Sequence, residues 1–182
     1  RLRRILTRVF DEQEFLSPYG VRSLSRVYQN NPYSYQQGDD HATISYSPAD
    51  SPVAMFGGNS NWRGPVWIPI NYLLIEALQK FGHALGDEFR MEFPTGSGRE
   101  LNLWQISLEL EKRLVGIFRR NEEGRRAFNG DIELFQNDTA WSELFQFHEY
   151  FNGCTGAGVG ASHQTGWTAV VSKMITQLQR WG

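Results

Sequence analysis

The chain has 182 residues, enough for one domain with a sizeable core. Eighteen basic against twenty acidic residues give a formal net charge of -2, so no basic field points to nucleic acid or to an anionic membrane surface. Six Trp, seven Tyr and twelve Phe, together with eighteen Gly, suit ring-walled clefts built from irregular loops, and the single cysteine, Cys154, excludes an internal disulfide.

At the start, Leu2, Ile5, Leu6, Val9 and Phe10 fall on one helical face, and Arg1, Arg3, Arg4 and Arg8 fall off it. A chain that opens in mid-helix on Arg1 is expected to be a piece of a longer protein. Periodicity is scarce from Phe15 to Gly64, where Ser17-Pro18-Tyr19-Gly20, Asn31-Pro32 and Ser51-Pro52 signal turns and Thr43 to Tyr46 alternates as a short strand. A second helix is predicted from Pro65, a good first helical residue, to Phe81. Its apolar residues, from Val66 to Leu78, leave almost no polar face, which predicts burial on most sides. That stretch is interrupted by Pro69, Asn71 and Glu76 and is too short to span a bilayer.

The third helix, Leu101 to Arg120, turns Leu101, Trp104, Leu108, Val115 and Phe118 inward and gathers Glu109, Glu111, Lys112 and Arg113 elsewhere, the pattern of an outer, half-wetted helix. Phe145, Phe147, Glu149 and Phe151 alternate with Leu144, Gln146, His148 and Tyr150, so this segment is expected to be extended. The fourth helix, Trp167 to Trp181, follows Thr165 or Ser162 as cap and carries a stripe of Trp167, Val170, Val171, Met174, Ile175, Leu178 and Trp181. One buried helix among amphipathic ones predicts an all-α fold in two layers with long irregular loops and short β segments.

Two segments carry the chemistry. Gly57 to Trp67 places Trp62, Arg63 and Trp67 before a buried helix: rings offer flat faces, and the guanidinium offers a planar fork for a carboxylate or paired hydroxyls. Its spacing is neither a phosphate loop nor a dinucleotide fingerprint. Phe145 to Thr168 places Glu149 among rings, then a glycine-rich turn, then His163, Gln164 and Trp167 at the mouth of the last helix. A carboxylate there can be a general acid or base, or simply pair with Arg63 or another arginine. His148 has the opposite parity to Glu149 and reads as a structural hydrogen-bonder. His41, His83, His148 and His163 lack metal-ligand spacing, so no metal and no cofactor is expected.

The strings GGNSNWRGPVWIPINYLL and FHEYFNG…GASHQTGWT resemble the C-terminal half of the catalytic domain of glycoside hydrolase family 63, which holds the mannosyl-oligosaccharide glucosidases. LSPYGVRSLS and PTGSGRELNLW are similar to its bacterial branch. The resemblance covers nearly the whole chain and implies that residues 1–182 are a fragment of a single (α/α)6 toroid. It further implies inverting hydrolysis of an α-glucosidic bond by two carboxylates, with Glu149 as general base and Trp62, Arg63 and Trp167 about the glucose. The general acid of that family lies upstream; Asp39, Asp40 and Asp50 stand in the wrong context, so the isolated chain is expected to be inactive. The partners implied are an oligosaccharide or glucoside and the N-terminal half of the parent protein. The lone cysteine and the bacterial look suggest a cytoplasmic location. A carbohydrate-binding fragment without catalysis, or a phosphorylase or other transferase, are the alternative functions.

Overall fold

The computed structural model describes residues 1–50 and 62–182; the expected turn at Ser51-Pro52 and the Gly57-to-Asn61 part of the first string lie outside them. In chain order the elements are α1 (Leu2–Val9), β1 (Leu16–Ser17), β2 (Gly20–Val21), β3 (Tyr33–Gln37), β4 (Asp40–Ile44), α2 (Ile68–Leu85), β5 (Arg90–Glu92), β6 (Glu100–Asn102), α3 (Leu103–Gly116), α4 (Glu133–Asn137), β7 (Tyr150–Phe151), β8 (Gly158–Val159), α5 (Thr165–Thr168) and α6 (Val171–Trp181). Single 3-10 turns occupy Arg26–Gln29 and Ala127–Asn129.

The all-α expectation is therefore corrected: among the described residues, four antiparallel strand pairs accompany the helices. Each pair has a local cause. β3 and β4 pair from Tyr33↔Ile44 to Gln37↔Asp40 across Gly38-Asp39, with Gly38 at φ +59, a hairpin turn that needs glycine's freedom. β4 overlaps the strand expected at Thr43 but ends at Ile44, short of Tyr46. β5 and β6, absent from the sequence reading, pair Met91 with Leu101. They delay the third helix to Leu103, where Asn102 and Gln105 form a reciprocal capping box.

The layering also differs from expectation. α3 packs against both α2 and α6, and Leu103, Ile106, Leu110, Leu114 and Val115 are almost fully buried. It is the central helix, and Trp104, expected inside, is 37% exposed. α2 buries Ile68, Asn71, Ile75 and Leu78 but exposes Ile70, Leu73, Phe81 and Leu85, because α3 and α5 cover it from one side. It starts at Ile68 with Pro69 in the first turn, not at Pro65. Val66 is held in a β-bridge, so Pro65 to Trp67 stay extended. The last helix is broken into α5 and α6, and Gln164, without a side-chain hydrogen bond, stands at the cap position expected for Thr165 or Ser162.

Candidate active site

Three segments, the first of them far from the other two in sequence, are joined here by backbone. Val66 and Phe151 exchange both hydrogen bonds: Val66 N–H donates to Phe151 O at 2.8 Å, and Phe151 N–H donates to Val66 O at 2.9 Å. On the other side of the same strand, Glu149 N–H donates to Ala161 O (2.9 Å) and Gln164 N–H donates to Phe147 O (2.8 Å). The strings around Trp-Arg, Glu149 and His163 thus form one surface. Both sides of the central strand are covered, since Phe151 packs edge-on to Phe118 (5.7 Å) and Tyr150 stacks on Trp67 (4.8 Å).

Glu149 is half-buried. Its Oε2 accepts a long bond, 3.4 Å, from Ala161 N–H, and the ion pairs among the described residues do not include it. The reading of Glu149 as an arginine's structural partner thus has no support there. Gly160 makes room for it: a Cβ at that position would stand 2.8 Å from Glu149 Oε2 and 2.7 Å from the Tyr150 ring, and its φ is +70. Glycine is required both by the backbone angle and by the carboxylate.

Trp67 is 4% exposed and stacks parallel on Trp62 at 4.1 Å, while Trp167 meets its edge at 6.2 Å. Trp62 and Trp167 remain 40% and 38% exposed, so theirs are the open faces, with Trp67 behind them. Arg63 is 2% exposed, and its carbonyl accepts from Ser47 N–H at 2.7 Å. His163 and Gln164 are exposed beside the strand, and Trp167 is set on α5 by its N–H to Gln164 O (3.0 Å). Next to it, Thr168 Oγ1 donates to His148 O at 2.5 Å, tying α5 to the Glu149 strand.

Sequence reasoning missed several supporting residues. Tyr150 is fully buried and its hydroxyl donates to Asp50 Oδ1 at 2.7 Å, so Asp50 braces the strand. The ring of His148 occupies the space a Cβ at Gly158 would need, at 2.2 Å, and burial, with His163 nearby, holds its pKa below the usual value. Neither role leaves a local signal, because each partner is brought in by the fold. Among the described residues no group of His, Cys, Asp or Glu could hold a metal ion, and no helix is long and apolar enough to cross a membrane.

Comparison with known proteins follows the same residues. A family profile for the mannosylglycerate hydrolase MGH1-like glycoside hydrolase domain matches residues 1–168. The chain is 46% identical over 180 residues to an uncharacterised protein of Saccharomyces cerevisiae, covering 98% of this chain and 16% of that protein. It is 27% identical over 97% of its length to a probable mannosyl-oligosaccharide glucosidase of Schizosaccharomyces pombe, and 24% identical over 96% to the mannosyl-oligosaccharide glucosidase of Saccharomyces cerevisiae. It spans 15% of each of these two glucosidases.

Proposed function

This chain belongs to the MGH1-like glycoside hydrolase family, and on that premise we propose that it carries the water-activating half of an inverting α-glucosidase. The observation that supports the reading best is the convergence at Glu149. A carboxylate without an ion pair among the described residues stands on a strand joined by backbone to both the Trp-Arg string and the His163–Trp167 string. In this proposal the carboxylate accepts a proton from a water molecule as that water attacks the anomeric carbon, on the face opposite the leaving group. The open faces of Trp62 and Trp167 stack the glucose ring, with Trp67 as their backing. His163 and Gln164 offer hydrogen bonds to its hydroxyls, and Arg63 supports the pocket from its buried position.

Protonation of the leaving oxygen needs a second carboxylic acid. We place it in the remainder of the parent protein, which is also the partner that completes the pocket. The substrate is accordingly an α-glucoside or gluco-oligosaccharide.

The decisive experiment replaces Glu149 by Gln in the parent protein and measures glucose release and glucose binding, with and without added phosphate. Loss of at least about a thousandfold in kcat with binding retained is expected for the base. Wild-type-like turnover by Glu149→Gln removes Glu149 from that role. A requirement for phosphate in the wild type converts the reading to a phosphorylase, and binding without any turnover converts it to a carbohydrate-binding protein.

A further inference from the structure

The β7–β8 hairpin has two ends. Glu149 stands at its root beside Gly160, and the turn from Asn152 to Ala157 forms its tip. That tip borders a cavity of about 460 Å³, within the range of small-molecule sites. Tyr19, Arg119, Asn121, Arg126, Asp131 and Asn152 are among its lining residues.

Asn152, Asn121 and Arg126 are fixed here by hydrogen bonds, while Arg119 and Asp131 are exposed. Asn152 Oδ1 accepts from Cys154 N–H (2.8 Å) and Thr155 N–H (3.2 Å), which sets the amide and leaves its NH2 without a partner among the described residues. Asn121 is set in the same way, accepting from Glu123 N–H (3.1 Å) and Arg125 N–H (2.8 Å). Arg126 is fixed by donating from its two terminal nitrogens to Phe118 O (2.7 Å) and Glu143 Oε2 (3.2 Å). Among the described residues the ion pairs include Arg120, Arg125 and Arg126 but neither Arg119 nor Asp131.

The mixture decides the ligand class. A site for anions would not be lined by Glu123 and Asp131, and a site for cations would not be lined by Arg119, Arg125 and Arg126. Hydroxyl groups both donate and accept, so a polyhydroxylated ring satisfies amide, guanidinium and carboxylate together, and Tyr19 supplies an aromatic ring at the same cavity. We propose that this cavity is a second glycosyl subsite, which takes a neutral sugar unit of the oligosaccharide remote from the bond cleaved at Glu149. The proposal rests on the glycosidase reading above. Glu149 and Asn152 are three positions apart, about 10 Å of extended chain, so one rigid hairpin positions both ends of a substrate longer than a disaccharide.

The test uses the parent protein with Arg119→Ala, and separately with Asn152→Asp, which keeps the Oδ1 acceptor of the turn and removes the free NH2. Each variant is expected to lower the preference for an α-linked gluco-tetraose over the corresponding disaccharide, measured as the ratio of kcat/KM, about tenfold. An unchanged ratio, or an equal fall with both sugars, overturns the subsite. In the Glu149→Gln background, the tetraose titrated calorimetrically should bind about tenfold more weakly once Arg119 is removed. If the wild type cleaves neither sugar while this binding difference persists, the hydrolase reading fails and the subsite stands. If tetraose binding is indifferent to Arg119, the subsite fails whatever the activity.

Discussion

Replacing Glu111 by glutamine tests the charge state of the helical core. Glu111 is 0% exposed on α3. Its Oε1 accepts from Gln79 Nε2 at 3.3 Å, its Oε2 is buried without a partner, and Gln177 Oε1 is a second buried acceptor in the same cluster that lacks a donor. Burial pushes the carboxyl from 4.5 up to about 7; the bond from Gln79 opposes this, Glu76 adds to it, and Lys173 opposes it more weakly. At about 1.4 kcal/mol per pH unit, that difference is worth about 3 kcal/mol between neutral and ionised Glu111. Because folding raises this pKa, the stabilisation is fully present below the unfolded value of 4.5 and is lost as pH rises through about 7. Glu111→Gln stays neutral throughout and brings an NH2 group into a cluster short of donors. Urea unfolding followed by tryptophan fluorescence should show wild-type stability falling across this window while the variant stays flat. At about pH 8.5 the variant should be the more stable by about 3 kcal/mol, and at acidic pH the two should agree within about 1 kcal/mol. Parallel pH profiles would refute the argument, since they would mean that Glu111 titrates alike folded and unfolded.

Two further outcomes follow from local geometry. Gly160→Ala places a Cβ 2.8 Å from Glu149 Oε2 at φ +70, so it should destabilise by about 1–3 kcal/mol and, on the proposed role of Glu149, lower kcat of the parent protein about a hundredfold by displacing that carboxylate; kinetics that match the wild type would show that the strand absorbs the change. Asn102→Ala removes the cap of α3, an acceptor for Gln105 N–H at 2.8 Å, and should cost about 1–2 kcal/mol, seen as a lower urea midpoint at constant slope.

The four longer helices, α1, α2, α3 and α6, were legible because their signals are local, whereas α4 and the break before α6 were not. Leu6 and Phe10, or Val171 and Met174, recur at helical spacing wherever the helix is later placed, and all four are buried. Strand pairs were less legible: Met91 and Leu101 are ten residues apart, and neither segment alternates for long enough to announce itself. Glu111 shows how a local pattern misleads. It stands two residues from Glu109, whose carboxylate pairs with Lys112 at 3.2 Å on the surface, yet two residues on a helix are about 200° apart, and Glu111 faces Gln79 on α2.

The site divides in the same way. The sequence by itself determined the candidate residues, because a carboxylate among rings, a Trp-Arg string and a Gly-rich turn are chemical features that each short segment carries alone. Only the tertiary structure decided which tryptophan faces are open, that Tyr150 is braced by Asp50, and that Val66 and Phe151 draw the segments together. The contacts of Val66 with Phe151, of Tyr150 with Asp50 and of Trp67 with Trp167 cross 85 to 100 residues of chain, where the partner is chosen by packing and hydrogen bonding over the whole fold.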